Sequence, residues 1–158
     1  MSNSILQDIV DNTPDPVVIA AGTQATLRIK KAVFCATKGG KRDDDTEKPI
    51  RPQVMLYFGV DEEPKAQLIS VSLWFPVEGD TDEVVYNQKV AIKKSLNALG
   101  IKPKTDGEVD MSQFKPGMDP IALPKWAGKS GLAILDVEAG QGGLARNVVK
   151  SWVEVQAM

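Results

Sequence analysis

The stretch "TDEVVYNQKVAIKKSLNALGI", residues 81–101, decides the expected fold because its apolar period differs from that of the segments around it. Its apolar side chains fall at i, i+7, i+11 and i+14, which is one stripe of a helix: Val85, Ile92, Leu96 and Leu99. Thr81 or Asp82 can cap the start, and Gly100 stands where a helix-ending glycine belongs. The sequence predicts one long helix here.

Segments on both sides of this helix have the composition of β-strands. The first begins at Gln24, and two more follow it: "QVMLYFGV" (53–60), apolar on both faces, and "AQLISVSLWF" (66–75), which alternates with a period of two. After the helix come "GLAILDVEA" (131–139) and "LARNVVKSWVEV" (144–155), joined by the glycine-rich turn "GQGG". The predicted order is three strands, a helix and a closing hairpin.

Alternation within the strands assigns side chains to a core face or an outer face. In the first strand the core face is expected to hold Leu27, Ile29, Val33 and Cys35, and the outer face Arg28, Lys30 and Phe34. Trp74 has the outer parity of the third strand, and Arg146, Lys150 and Trp152 are expected to share one face of the last strand.

Two loops interrupt this pattern. The loop "FCATKGGKRDDDTEKPIRPQ" (34–53) carries many charges and little to bury, and residues 101–125 hold four prolines and two glycines without periodicity. A long stretch of the second kind is typical of a functional or mobile loop. The expected domains are an N-terminal arm over residues 1–22 and a single domain over residues 23–158.

The fold class that fits this order is mainly β: a five-stranded OB-like barrel with one helix between strands three and four and a long loop after it. The alternative is an open antiparallel sheet packed on one helix.

The composition of the chain excludes several classes of catalytic and metal site. The 158-residue chain has no histidine and one cysteine, Cys35, so triads that need histidine and zinc sites of the Cys/His kind cannot be built. The lone cysteine favours a reducing compartment, and we expect a cytoplasmic protein without a membrane span. The net charge of −2 confines any polyanion site to a local cluster. We expect no metal, no cofactor and no catalytic residue.

A surface for single-stranded nucleic acid needs aromatic faces that stack on bases and cations that follow phosphates. In an OB-like barrel such residues belong on strands two and three and on the neighbouring loops. The candidate nucleic-acid-binding residues are Arg28, Lys30, Phe34, Lys38, Lys41, Arg42, Tyr57, Trp74, Arg146, Lys150 and Trp152. Each has a packing alternative, and the acidic run Asp43, Asp44 and Asp45 opposes the cations beside it.

Three blocks resemble a phage and prophage group of single-stranded DNA-binding-like proteins: "AAGTQATLRIKKAVF" (20–34), "VVYNQKVAIKKSLNALGI" (84–101) and "WAGKSGLAILDVEAGQGGLARNVVKSWV" (126–153). The resemblance implies an OB-fold that coats single strands in phage DNA replication or recombination, in the cytoplasm of the host cell. The resemblance also implies which basic and aromatic residues bind the single strand: Arg28, Lys30, Lys38, Lys41, Trp74, Arg146 and Lys150.

The expected function is therefore a non-enzymatic, largely sequence-independent single-stranded DNA-binding protein. Its expected partners are single-stranded DNA and replication or recombination proteins, and the sequence leaves a homo-oligomer open. The alternative is a non-catalytic protein-interaction or virion structural module on the same barrel. A third hypothesis is a hydrolase that uses carboxylates and Mg²⁺.

Overall fold

The computed structural model describes residues 4–140 and 143–154. Its strands are β1 (Gln24–Ala36), β2 (Gly40–Lys41), β3 (Glu47–Lys48), β4 (Pro52–Val60), β5 (Ile69–Trp74), β6 (Ile121–Ala122), β7 (Ser130–Ala139) and β8 (Ala145–Trp152). Its helices are α1 (Ile5–Asn12), α2 (Asp82–Leu99) and α3 (Pro103–Asp106), with 3₁₀ turns at Met111–Gln113 and Pro124–Trp126. Residues 141 and 142 of the predicted "GQGG" turn lie outside the described residues.

Helix α2 forms where the apolar period predicts it, and local signals fix both of its ends. The Thr81 hydroxyl accepts a hydrogen bond from the Val84 amide at 3.3 Å, which caps the first turn. Gly100 adopts a left-handed conformation with φ of 65°, and its amide donates to the carbonyls of Asn97 and Leu96. Between these caps, three of the four predicted stripe residues pack on the core: Ile92, Leu96 and Leu99.

One antiparallel sheet of six strands holds the core. Its order is β5-β4-β1-β7-β8, and β6 pairs with β1 beside this path. The sheet curls until Cα atoms of β5 and β8, its two edge strands, come within 8 Å of each other. No backbone pairing joins these two edges within residues 4–140 and 143–154, so the predicted closed barrel is not found. The mainly β fold with a long helix between the third and fourth long strands is confirmed.

A β-bulge in β1 changes which side chains face the core. The pairing with β4 shifts between Ile29 and Lys31, so Lys30 is an extra residue. Odd-numbered side chains such as Leu27 and Ile29 are buried before the bulge, and Phe34 is buried after it. Phe34 is only 1% exposed and packs edge-on against the ring of Phe75. The predicted outer position of Phe34 is therefore wrong, because the bulge reverses the parity of the strand.

A second bulge, in β8, also changes which side chains face the core. The pairing with β7 jumps from Val149 to Ser151, which leaves Lys150 without a partner in the ladder. Trp152 consequently turns toward the core, where its ring lies 5.6 Å from that of Phe58. Arg146 remains exposed opposite Glu138. Arg146 and Trp152 do not share a face, contrary to the prediction.

Residues 101–125 pack against the end of the sheet and are not a free loop. Trp126, just after them, is 4% exposed, and its indole N–H donates to the Gly107 carbonyl at 3.1 Å. Leu123 and Met118 are buried, and the Leu123 amide donates to the carbonyl of Ala32 in β1. The segment closes one end of the core, and a functional role for it stays a prediction.

Within residues 4–22, the N-terminal arm is attached to the sheet only in its second half. Val17 forms a parallel bridge with Ala66, just before β5. The backbone of Ile19 exchanges two hydrogen bonds with the side-chain amide of Asn147, at 2.9 and 2.7 Å. Helix α1 precedes these anchors, and all of its residues are exposed.

An ion pair joins the start of β4 to the segment that leads into α2. The Arg51 guanidinium donates two hydrogen bonds to the Asp80 carboxylate, at 3.0 and 3.2 Å, and a third to the carbonyl of Phe75. The two side chains are only 11% and 10% exposed. Asp80 also accepts from the Val77 amide at 2.9 Å. The hydrogen bond from Arg51, followed by that from Val77, lowers the pKa of Asp80.

We expect Asp80→Asn to lower the free energy of unfolding at pH 7 by on the order of 2 kcal/mol, because it removes charge-assisted hydrogen bonds. A carboxylate whose pKa is lowered by folding stabilises the protein above its unfolded-state pKa of about 3.9, and this stabilisation is lost as the pH falls through the folded-state pKa. The difference in free energy of unfolding between wild type and Asp80→Asn should therefore shrink as the pH is lowered from 7 toward 3 in urea titrations.

The control Asp119→Asn, at an exposed position, should change the free energy of unfolding by less than about 0.5 kcal/mol. A difference that is the same at both pH values would contradict this account.

Candidate nucleic-acid interface

The outer face of β1, β4 and β5 is the candidate site, and we call it the β4 face. Side chains on this face lie in three rows across the strands: Cys35, Gln53 and Trp74; Val33, Met55 and Ser72; Lys31, Tyr57 and Ser70. Every second residue of β4 is buried on the other side of the sheet, which leaves Gln53, Met55 and Tyr57 on this side. Strand β4 is therefore apolar on both sides because one side faces the core and the other is half-buried on the outer face of the sheet.

Trp74 is the most exposed aromatic side chain of the β4 face. It lies on the edge strand and is 52% exposed. Its indole N–H donates to the side-chain carbonyl of Gln53 at 3.1 Å, which fixes the ring relative to the neighbouring strand. A held ring with a free surface loses little further conformational freedom when a planar group stacks on it.

Tyr57 is half-buried two rows away, between Lys31 on β1 and Ser70 on β5. Four residues along a strand correspond to about 13 Å, so the two aromatic side chains can serve different bases of one extended strand. Met55 fills the row between them, and its sulfur accepts a hydrogen bond from the Ser72 hydroxyl at 2.9 Å. Methionine offers an adaptable apolar contact in such a position.

The bulge in β1 places two consecutive lysines at the β4 face. Lys30 and Lys31 are both exposed. The aliphatic part of Lys30 crosses β4 at Gly59, where an added Cβ would lie 2.7 Å from Cε of Lys30. Lys31 stands opposite Tyr57. Neither lysine forms an ion pair with any residue that the structure describes. Sequence reasoning missed Lys31, although the doublet that breaks the alternation of the strand was a signal for it.

The arginines among the predicted site residues are already engaged by the protein. Arg28 donates to both carboxylate oxygens of Asp61, at 3.1 and 2.8 Å, and to the Gly128 carbonyl. This pair raises the pKa of Arg28 and lowers that of Asp61, in both cases chiefly through the side-chain hydrogen bond. Arg146 donates from Nε and Nη2 to one carboxylate oxygen, Oε1 of Glu138. These two guanidinium groups hold strands together.

The charged loop between β1 and β4 forms a small hairpin of β2 and β3. The Arg42 guanidinium donates to the Thr46 hydroxyl and the Glu47 carbonyl, at 3.3 and 3.2 Å, so it is used within the hairpin. Asp44 accepts from the hydroxyl and the amide of Thr46, and these bonds lower its pKa. Lys38 and Lys41 remain exposed. The hairpin leaves the sheet at the end where Trp74 lies, since Ala36 pairs with Pro52 there.

The two remaining predicted residues lie on β8, which within the described residues pairs with neither β4 nor β5. Trp152 packs between the sheet and α2, and its indole N–H donates to the Ser95 hydroxyl at 3.1 Å. Lys150, the bulge residue of β8, lines the open seam between β5 and β8 together with Ser70. The structure thus brings together Lys30, Tyr57 and Trp74 with Lys31, and adds Lys38 and Lys41 at one end. It places Lys150 at the seam and leaves out Phe34, Arg28, Arg42, Arg146 and Trp152.

Cys35 lies in the row of Trp74 and is half-buried. Burial raises the pKa of its thiol. In the described part of the chain, no group of three or more Cys, Asp or Glu side chains could hold a metal ion. None of the described helices is both long and apolar enough to cross a membrane.

Comparison with known protein families, with curated proteins and with solved structures gives no match for this chain. The function of the chain is therefore inferred from the geometry of the β4 face.

Trp74 should dominate the solvent-accessible fluorescence, because Trp126 is 4% exposed and Trp152 is half-buried. We expect Trp74→Phe to remove most of the emission that acrylamide quenches and to shift the remaining emission to shorter wavelength. The control Trp152→Phe should leave the amount of emission that acrylamide quenches nearly unchanged. An unchanged quenching constant for Trp74→Phe would show that this ring is covered in solution.

Proposed function

We propose that the chain is a non-enzymatic single-stranded DNA-binding protein that binds largely without regard to sequence and serves phage DNA replication or recombination. The observation that carries the proposal is the β4 face, where a Trp74 ring that is 52% exposed shares a strand surface with Tyr57 and with the lysine pair Lys30 and Lys31. Bases would stack on the aromatic rings, and phosphates would lie along the lysines.

The order of the elements supports this proposal. The five long strands run third-second-first-fourth-fifth across the sheet, and α2 lies between the third and fourth. We propose that this is an OB-like barrel that stays open at the seam between β5 and β8. In OB-folds the face of strands two and three binds oligonucleotides, and here those strands are β4 and β5.

The charge distribution favours single strands over duplex DNA. The net charge of −2 gives the whole protein little attraction for a polyanion, so binding must come from local cations together with stacking. Only an unpaired strand offers base faces to Trp74 and Tyr57, and stacking contributes about 1–3 kcal/mol per base. A duplex keeps its bases stacked on one another and would meet only the lysines.

We expect Trp74→Ala to weaken binding of labelled oligo-dT by about tenfold or more, because it removes one stacking contact. Tyr86→Ala is the matched control: Tyr86 is 68% exposed on α2, outside the three rows of the β4 face, and its loss should change the affinity less than twofold. Fluorescence anisotropy titrations at low salt measure both. Equal effects of the two variants would contradict the placement of the site, and equal binding of duplex DNA would contradict the proposed ligand.

We expect Lys30→Gln with Lys31→Gln to reduce the salt dependence of binding. Each lost phosphate contact on a single strand lowers the slope of log K against log salt by about 0.7, so the double variant should lose up to about 1.4. Glutamine removes the charge and keeps the Cβ and Cγ methylene groups of lysine, so part of the contact of Lys30 with Gly59 remains. Lys102→Gln, at an exposed position of another surface, is the control and should leave the slope unchanged. Self-association that is insensitive to salt, without oligonucleotide binding, would favour a protein-interaction module instead.

A further inference from the structure

Helix α1 presents an apolar stripe that nothing covers in the described part of the chain. Its members are spaced at i, i+1, i+4 and i+5 and are between 50% and 75% exposed: Ile5, Leu6, Ile9 and Val10. The helix is eight residues long, below the length at which isolated helices are stable in water. The Ser4 cap and the pairs Gln7–Asp11 and Asp8–Asn12 stabilise it only slightly. A partner surface would supply the missing stabilisation.

The charge of this segment argues for a protein partner. The carboxylates Asp8, Asp11 and Asp15 accompany the stripe, and the first cation of the chain is Arg28. Helices that lie on membranes are rich in lysine and arginine on their polar face, which attracts anionic lipid. An acidic helix of this kind is suited to a surface that combines an apolar floor with positive charges.

A groove beside α2 has that combination. Its floor is apolar and its volume is about 420 Å³. The floor is formed by Phe75, Pro76, Ile92, Leu96, Ile101 and Pro103. Lys89 and Lys93 stand at its rim, and within the described ranges neither forms an ion pair. We call this the α2 groove.

We propose that α1 of one copy of this chain lies in the α2 groove of a second copy. The apolar stripe would cover the floor, and the acidic helix would approach the lysine rim with complementary charge. Because the helix and the groove are different surfaces, each copy can give one and receive one. The contact is therefore head-to-tail and builds rings or open chains. This inference does not depend on DNA binding.

The groove of the same copy is out of reach for α1. The arm is anchored where Val17 pairs with Ala66, before β5 begins, whereas the groove starts at Phe75, after β5 ends. The link from Asn12, the last residue of α1, to Val17 spans at most about 18 Å. The six residues of β5 alone span about 20 Å. The helix can therefore not lie along its own groove while the anchor is kept.

Cross-linking between copies tests the proposed pairing directly. In a Cys35→Ser background, we would mix chains that carry Gln7→Cys, on the polar flank of α1, with chains that carry Asn97→Cys, at the groove. A short bis-maleimide should then give a covalent heterodimer. A cross-linked product from Gln7→Cys chains alone would show that the α1 helices of two copies pair with each other. An intramolecular product from a chain that carries both cysteines would show that α1 lies in the α2 groove of its own copy. Either result overturns the proposal.

Sedimentation measures whether the contact forms without a cross-linker. An interface this small is weak, so we expect the average mass of the wild-type protein to rise with concentration. Leu6→Glu with Ile9→Glu should hold the mass at that of the monomer at all concentrations. These positions are exposed, so the substitutions should leave the melting temperature unchanged. Gln7→Ala, on the polar flank, is the control and should associate like wild type. A wild-type mass that stays monomeric, or association that survives the double substitution, would overturn the proposal.

Discussion

The extra residue in β1 is the constraint on which the arrangement of this protein depends. Because the ladder with β4 shifts between Ile29 and Lys31, one strand can send Leu27 and Ile29 into the core and then Phe34 as well. The same shift turns two lysines in succession toward solvent. A bulge also increases the local twist of a sheet. Strong twist in the central strand is in keeping with the close approach of β5 and β8.

One end of the sheet is held by two sets of contacts, and Trp74 stays exposed beside them. The segment 101–125 and Trp126 pack under the sheet there, with main-chain bonds such as that from Leu123 to Ala32. At the same end, where Ala36 pairs with Pro52, the pair of Arg51 and Asp80 ties β4 to the approach of α2. Helix α2 packs on β5, β7 and β8. The packing elements therefore lie away from the outer side of β4, which is where the aromatic and basic side chains meet.

Much of the fold could be predicted because its signals are local. The cap at Thr81, the left-handed Gly100 and the helical stripe between them are all encoded within one segment. The bulges are not local, since the register of a strand is decided by its partner, and they account for the errors at Phe34 and Trp152. One slipped residue reverses the face of every side chain after it.

The residues of the candidate site were predicted less completely, because charged side chains can form ion pairs with residues that are distant in sequence. Arg28 pairs with a carboxylate 33 residues away, and nothing in the alternation of β1 indicates it. Lys30 and Trp74 were placed on the outer face by simple parity, and the structure agrees. Parity could not assign a face to Tyr57, because its strand is apolar on both sides. The packing of residues 101–125 was hidden for another reason: short turns bury single side chains such as Met118 without any periodic pattern.

The unjoined edges of β5 and β8 give the molecule a mechanical property that a sealed barrel lacks. A closed cylinder resists bending, since any change in its radius must stretch or break rungs between strands. Here the curvature of β4 and β5 can relax by widening the gap, with every rung of the ladder intact. The outer surface of these two strands can therefore flatten or arch without loss of backbone pairing.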